Sequence, residues 1–410
     1  MSAYHKPADE AQVADLIRSA GAARTGLEVI GQGSRRHLGR FTEVESVLDV
    51  SALSGVLVYE PEELVLSARA ATPVAEIQAL LASKGQHLAF EPPDLGPLWG
   101  APAGRGTLAG AISVGMGGSR RLSAGAPRDH FLGFRAVNGF GEAFAGGGRV
   151  VKNVTGFDLP KLLAGAYGTL GVLTEVTLKV LPAPEDTRTL ALLELKDDAA
   201  LALLRRALGG AVPVSGAAHI PGEVLARFEA LPHALAGGSA TLLRLEGPQA
   251  ATSAYAAALR VALETSTTPL VELEPQPSLA LWRQISDASC YAGSAQPLWR
   301  VSIPPRHAAA LGAGLRAAGA QQLYYDWGGG LLWLEGPPGD DGGASTIRSL
   351  LKAHAGEGHA TLVRATRAVR ANAEPLEPQP AALRALSERV RAQFDPLGIL
   401  NPHRMYGSAA

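Results

Sequence analysis

The sequence predicts an α+β protein in two domains, and three observations carry that prediction. Residues 172–180 alternate, with Val172, Thr174, Val176, Leu178 and Val180 on one side and Glu175, Thr177 and Lys179 on the other. That period of two is the signature of a half-buried strand. Leu181-Pro182-Ala183-Pro184 then breaks the pattern, as a proline-rich boundary does. Beyond it one order of elements occurs twice: strand, helix, strand, strand, helix, strand.

In the first half, a helix is predicted from Asp9 to Ala20. Pro7 precedes it, Val13, Leu16, Ile17 and Ala20 share one face, and Gly21 is expected to stop it. Leu27–Ile30 reads as a short buried strand that runs into Gly31-Gln32-Gly33-Ser34-Arg35-Arg36. Ser46–Val50, Val56–Tyr59 and Leu64–Ala70 read as further strands. Thr72 as N-cap and Pro73 at the first helical position open a second helix, which Gly85 closes. Phe131–Val137 and Glu142–Ala145 suit a hairpin around Asn138, Gly139 and Gly141.

In the second half, the first unit runs from Arg188 to about Glu274 and a linking helix from Leu279 to Ser289 follows. The second unit has strands Leu298–Ile303, Gln322–Asp326, Leu331–Glu335 and Ala360–Arg364, with helices ending near Ala318 and His354. Trp327-Gly328-Gly329-Gly330 supplies the turn between its middle strands. Each unit has the split βαβ, ferredoxin-like order. Two of them side by side predict one wide antiparallel sheet with helices on one face. A last helix, Pro380–Phe394, precedes Asp395-Pro396-Leu397-Gly398-Ile399-Leu400-Asn401-Pro402. The expected division is residues 1–185, residues 186–379, and a tail at 380–410 that returns to the first domain.

Bulk composition excludes several classes. The 37 basic and 38 acidic residues nearly cancel, so nothing argues for nucleic acid. The single cysteine, Cys290, cannot form an internal disulfide, an iron–sulfur site or a cysteine zinc site, and a reducing compartment is expected. The first ten residues have no apolar core, so they do not read as a signal peptide. Arg, Glu or Pro interrupts every candidate membrane span.

Four glycine-rich blocks carry the chemistry. In Gly31 to Arg36, glycines after a strand let successive N–H groups point at a pyrophosphate, with Ser34 and Arg35 or Arg36 adding a hydroxyl and charge. The dinucleotide-binding G-x-G-x-x-G reading fails, because Arg36 stands at the third glycine and no helix follows. Taken alone, the block is more simply a tight glycine turn. Gly106 to Ser113 is the second, with Thr107 able to cap a short helix facing an anion. Ala109, Gly110 and Ala111 would allow a flat ring to approach, or serve only close packing. The third is Gly117-Gly118-Ser119-Arg120-Arg121 with Gly125, Arg128 and Asp129. The fourth is Gly165-Ala166-Tyr167-Gly168-Thr169-Leu170-Gly171-Val172-Leu173, where three glycines before an alternating strand suggest backbone against ligand.

These blocks, in this order, resemble the FAD-binding domain of the vanillyl-alcohol-oxidase superfamily, and most of all the FAD-binding subunits of bacterial glycolate oxidase. The segment Gly147-Gly148-Arg149-Val150-Val151-Lys152-Asn153-Val154-Thr155-Gly156-Phe157-Asp158-Leu159-Pro160-Lys161-Leu162 is diagnostic. The match is dense from Gly31 to Pro184 and returns at Phe394 to Pro402. From Arg188 to Gln379 it is one of architecture only. The resemblance implies a PCMH-type FAD-binding domain of two α+β subdomains, then a cap domain. It implies that Gly31, Gln32, Gly33, Ser34, Arg35 and Arg36 wrap the pyrophosphate of FAD. Pro93, Thr107, Leu108, Gly110, Ala111 and Ser113 would line the flavin and its phosphates. Gly117, Gly118, Arg128 and Asp129 would support that wall, and Gly168, Gly171, Val172 and Leu173 would hold the adenine side.

Three departures bear on detail. Covalent members of the superfamily carry a histidine after the paired glycines, where this chain has Ser34, with His37 three residues on. That implies a non-covalent flavin. Cys290 lies in the wrong domain for a thioether. His403 stands where a glycine is commoner. Catalytic residues are not assignable. Gly356-Glu357-Gly358-His359 and His354 fall near the place of the GDGN-x-H metal segment of stand-alone 2-hydroxy-acid dehydrogenases, but its aspartate–asparagine core is missing. Arg364, Arg367 and Arg370 are candidates for a carboxylate patch or for one solvated helical face.

Three readings compete: an FAD subunit of a glycolate dehydrogenase complex, a self-sufficient FAD-linked dehydrogenase of D-lactate or another 2-hydroxy acid, and a non-catalytic scaffold. The degraded metal segment and the lack of cysteines favour the first, with a second flavin subunit and an iron–sulfur subunit as partners. The chain is expected in the cytoplasm, with any membrane contact made through a partner.

Overall fold

A computed structural model of the chain describes residues 3–150, 156–229, 231–263, 268–320 and 322–407. Val151-Lys152-Asn153-Val154-Thr155 of the diagnostic segment therefore lie outside the described residues.

The first helix, Glu10–Ala23, opens where the Asp9 carboxylate accepts from the Gln12 N–H. Val13 and Ile17 are fully buried on its inner face, each burial contributing about 1.5–3 kcal/mol. The helix runs through Gly21 and stops at Arg24, in left-handed geometry with φ 52°. An interior helical glycine costs only about 1 kcal/mol. Here Gly21 also faces the Leu397 and Ile399 side chains of the returning tail, which is why it does not terminate the helix.

Three strands, β1 (Ala3–His5), β2 (Leu27–Ile30) and β3 (Ser46–Asp49), form a parallel sheet in the order β1-β3-β2. The next seven are β4 (Val56–Glu60), β5 (Val65–Arg69), β6 (Gln86–His87), β7 (Phe131–Val137), β8 (Ala143–Gly147), β9 (Val172–Lys179) and β10 (Leu181–Pro182). Five of them make an antiparallel sheet, β4-β5-β9-β7-β8. In β9 the predicted alternation is met, with Val172, Thr174, Val176 and Leu178 buried and Glu175, Thr177 and Lys179 only half-buried. The Leu181-Pro182 break itself pairs with His87 and Gln86 as a two-residue ribbon. The second helix begins one residue late, at Val74 after Pro73. Thr72 does not cap it. Its hydroxyl donates to the Arg69 carbonyl at 2.7 Å and accepts from the Gly55 N–H at 3.0 Å, tying the preceding turn.

The second half carries β11 (Asp186–Leu193), β12 (Gly216–Ile220), β13 (Ala240–Gly247), β14 (Leu270–Leu273), β15 (Leu298–Ser302), β16 (Leu323–Asp326), β17 (Leu331–Glu335) and β18 (His359–Arg364). They form one eight-stranded antiparallel sheet, β14-β11-β13-β12-β16-β17-β15-β18. Each half has the same internal order, and the halves meet edge to edge at His219 and Tyr325. The doubled ferredoxin-like unit is therefore present. Leu190, Leu243, Trp299, Val301 and Leu362 face the four long helices of the repeats. Ala191, Leu242, Leu298, Trp333 and Val363 face the other way, as the pleat requires. That second face is not open. Leu281 and Trp282 of the linking helix Pro275–Asp287 cover it, together with Leu38, Leu95, Leu98 and Met116 of the first half.

A buried ion network joins the two halves. Arg120 bonds Glu91 and Glu246, and Arg244 bonds Glu91 at 2.8 Å. The last helix, Ala381–Phe394, buries no residue. After it, Asp395 accepts from the Ile399 and Leu400 N–H groups at 3.1 and 2.8 Å. The tail then pairs with Leu27 through Ile399 and Asn401. No helix among the described residues is long and apolar enough to cross a membrane.

Candidate functional site

The site begins where β2 ends. A strand delivers its last residue in a fixed direction, and Gly31 to Arg36 turn away from it. Among the described residues, the N–H groups of Gln32, Gly33, Ser34 and Arg35 donate to no protein acceptor. Gly33 has φ +76°, and no atom lies within 4 Å of where its Cβ would stand. Only glycine adopts that backbone without strain. Four unspent donors beside an open space are the groups from which anion-binding concavities are built. Arg35 adds charge. Burial pushes its guanidinium down to about 10, against the pull of Asp94 and Asp287, so it remains protonated at neutral pH. It donates to the Pro93 carbonyl at 2.9 Å.

The second wall is the helix Leu108–Val114. The Thr107 hydroxyl accepts from the Gly110 N–H at 3.3 Å and caps it. A Cβ on Gly110 would stand 2.9 Å from that hydroxyl. The third wall is Tyr167 to Leu173, running into β9. The Tyr167 N–H donates to the Ser113 carbonyl at 2.9 Å, and burial pushes the Tyr167 hydroxyl up to about 12.

Gly31, Gln32, Gly33, Ser34, Arg35, Arg36, Thr107, Gly110, Ser113, Gly168, Gly171, Val172 and Leu173 thus line one open cleft of about 100 Å³. Other expected residues do not reach it. Leu108 and Ala111 are buried on the inner side of their helix, against Phe131 and Val176. Pro93 contributes its carbonyl to Arg35 from behind. Gly118 lies at the seam with the cap, where its carbonyl accepts from the Trp327 indole at 3.0 Å, and Gly117 sits against the Phe90 carbonyl. Arg128 is exposed, and Asp129 caps its own short helix through the Ala126 N–H at 2.8 Å. Neither supports the cleft wall.

Two residues of the tail were missed. The Asn401 side chain accepts from the Val29 N–H and donates to the Tyr167 carbonyl, each at 2.8 Å. Arg404 donates to the carbonyls of Arg35 and Arg36 at 3.2 and 2.5 Å. Both line the cleft, and both hold its loops in position. Asn401 and His403 have φ of 44° and 59°. The expectation of a glycine at His403 has this backbone as its physical basis.

The arginine candidates require correction. Arg364 spends its guanidinium on the carbonyls of Leu98, Tyr291 and Gln296. Arg370 bonds the carbonyls of Gly39 and Val363, and Arg367 pairs with Glu43 on the surface. They form neither a carboxylate patch nor one solvated face, because Arg364 stands on β18 and Arg370 is buried. His354 ends a helix on the far side of the cap sheet, and His359 is exposed at the start of β18. Among the described residues no three His, Cys, Asp or Glu side chains gather as a metal site.

A family model described as an FAD binding domain matches residues 1–146. Glycolate oxidase subunit GlcE of Escherichia coli (strain K12) is 32% identical over 395 residues, 96% of this chain and 96% of that one. Glycolate oxidase subunit GlcD of Bacillus subtilis (strain 168) is 33% identical over 159 residues, 39% of this chain and 32% of that one. Among solved structures, 4-ethylphenol oxidase from Gulosibacter chungangensis superposes with a TM-score of 0.71, covering 99% of this chain and 89% of that chain at 15% identity.

Proposed function

The chain belongs to the family of glycolate oxidase subunit GlcE and is an FAD-dependent oxidoreductase, and from that premise we propose that it is the FAD-binding subunit of a glycolate oxidase or dehydrogenase complex. The complex would oxidise glycolate, a 2-hydroxy acid, to glyoxylate. The observation that carries this reading is the length of the likeness. It spans the cap and tail of both chains at 96% coverage, whereas the likeness to GlcD reaches only 39% of this chain.

The cleft fits the cofactor's pyrophosphate, because open N–H groups at Gln32 to Arg35 and a charged Arg35 are what a pyrophosphate needs. FAD, when bound there, supplies a two-electron acceptor for the substrate C–H bond. Gly31 to Arg36 would hold its phosphates. Thr107, Gly110 and Ser113 would let a flat ring lie close, and Gly168, Gly171, Val172 and Leu173 would supply backbone contacts. Pro93, Leu108, Ala111, Gly117 and Gly118 act behind these, as support. Ser34 offers no ring nitrogen for a covalent link, and the His37 ring rests 5.5 Å from that of Trp99. Acid precipitation of the purified protein is expected to release all flavin into the supernatant; flavin retained in the pellet would contradict the non-covalent assignment.

Electrons have to leave. Cys290 is buried beneath the cap sheet and stands alone, so an iron–sulfur centre has to come from another chain. The partners in this reading are a second flavin subunit and an iron–sulfur subunit. The assembly lies in the cytoplasm, with any membrane contact made through a partner. The chain, tagged and purified from its host, is expected to bring a protein carrying acid-labile sulfide with it. Recovery as a lone flavoprotein would contradict the complex.

A further inference from the structure

Arginines inside a protein are normally paired, since an unpaired buried charge is costly. Here Arg244, Arg120 and Arg404 are ion-paired, and Arg364 and Arg370 donate to backbone carbonyls. Arg300 does neither. It lies mid-strand in β15, between Trp299 and Val301, which face the cap helices. The pleat therefore aims Arg300 the other way, beside Trp333, its cross-strand neighbour, and towards the first half of the chain.

Its guanidinium rests 4.8 Å from the centre of the Trp327 ring and 6.0 Å from that of Trp333. Arg121, from the third glycine block, stands 5.2 Å from the same Trp327 ring. Two like charges thus share one indole. Among the described residues neither guanidinium has an ion-pair partner or a hydrogen-bond acceptor. Asp326 is adjacent in sequence to Trp327, but its oxygens are taken by the Ser119 hydroxyl and the Trp327 N–H, both at 2.7 Å. Burial and then the Arg121 charge push Arg300 down to about 10, so it is still a cation at neutral pH.

The indole is held rigidly. Trp327 has φ 54° and donates its ring N–H to Gly118. Left-handed geometry at a bulky residue is strained, and such strain collects at ligand clamps. Tyr167, which lines the cleft, packs in the same seam.

We propose that Arg300 and Arg121, set against Trp327, form a binding site for a small carboxylate anion at the seam between the cleft and the cap sheet. Arg300 supplies the planar fork that grips two carboxylate oxygens, and Arg121 supplies a second, more exposed charge. Identifying the anion with the 2-hydroxy acid rests on the function proposed above; the anion site itself does not. It binds and orients, and no proton acceptor is assigned to it.

The test uses the FAD-loaded protein and oxalate, which has no C–H bond to lose, followed by calorimetry. Wild type should bind oxalate, and glycolamide, the neutral amide of glycolate, should bind far more weakly. Arg300→Met should weaken oxalate about 30-fold, the range of one charge-assisted hydrogen bond. Arg300→Lys should retain part of the affinity, and Arg121→Met should lose about 5-fold, since an exposed charge is screened. Unchanged oxalate affinity in Arg300→Met, or glycolamide binding equal to oxalate, overturns the site. If Arg300→Met fails to hold FAD, Arg300→Lys and Arg121→Met decide, and unchanged affinity in both overturns it. A visible-spectrum shift in Arg300→Met with unchanged oxalate affinity assigns the arginine to the cofactor instead. Glycolate-dependent flavin reduction is read separately in the co-purified complex. Reduction without Arg300-dependent oxalate binding keeps the function and overturns the site. Oxalate binding without reduction keeps the site and overturns the substrate.

Discussion

Gly33→Val is expected to lose FAD, with affinity lowered by about 100-fold or more while most of the fold survives. At φ +76° a branched side chain is strained, at a cost of about 1–2 kcal/mol. No protein atom lies within 4 Å of the new Cβ, so the protein itself meets no clash. The side chain instead enters the space beside the open N–H groups. Losing two charge-assisted hydrogen bonds, each about 1.5 kcal/mol or more, gives the 100-fold. FAD titration by flavin fluorescence measures it. Gly110→Val should also lose flavin but cost more stability, because its Cβ meets Thr107 at 2.9 Å. Arg206→Ala, on the exposed side of the helix Asp197–Leu208, should change neither. Full flavin in both glycine variants would show that the cradle lies elsewhere.

Arg244→Met carries the largest expected effect on stability. Arg244 is 1% exposed, bonds Glu91 twice and lies 4.7 Å over the Trp282 ring. The network of Glu91, Arg120, Arg244 and Glu246 is neutral as a whole. Removing one cation leaves a buried carboxylate short of its partner, at a cost of about 3–5 kcal/mol. Urea unfolding should report that loss, and Arg244→Met with Glu91→Gln should recover part of it. The same network sets an acid limit. Burial alone raises the Glu246 carboxyl, but Arg244 and Arg120 outweigh it and bring the group down to about 2. A depressed carboxyl stabilises above its unfolded value of about 4.3 and loses that contribution as pH falls towards 2. Wild type should therefore melt progressively lower across that window, and Glu246→Gln should show a shallower fall. Equal slopes would remove Glu246 from the account.

How much was legible in the sequence follows the range of the interactions involved. The alternation of β9 and the two ferredoxin-like units were legible because period and element order are local properties. Gly31 to Arg36 and Tyr167 to Leu173 could be singled out because their glycines fall in short runs, and the fold brings both segments to one cleft. The failures are all tertiary. Thr72 looks like a helix cap until Gly55 claims its hydroxyl. Arg128 and Asp129 sit in a glycine block, yet Asp129 serves only its own turn. Arg364, Arg367 and Arg370 are evenly spaced in the chain, but a strand ends between the first and the second. Asn401 and Arg404 act on residues more than 200 positions away. Nothing local distinguishes them, and nothing local separates an unpaired Arg300 from the paired arginines around it.

In the function proposed above, this chain works as part of an assembly and does not act alone. Steady-state oxidation of glycolate and D-lactate with a dye acceptor tests it most directly, with the isolated FAD-loaded chain measured beside the co-purified complex. The account predicts that the complex oxidises glycolate at a rate of about 10 per second or more, the range of an ordinary enzyme, and that the chain alone stays far below it. Turnover of about 10 per second from the isolated chain would contradict the subunit reading and make the protein a self-sufficient 2-hydroxy-acid dehydrogenase.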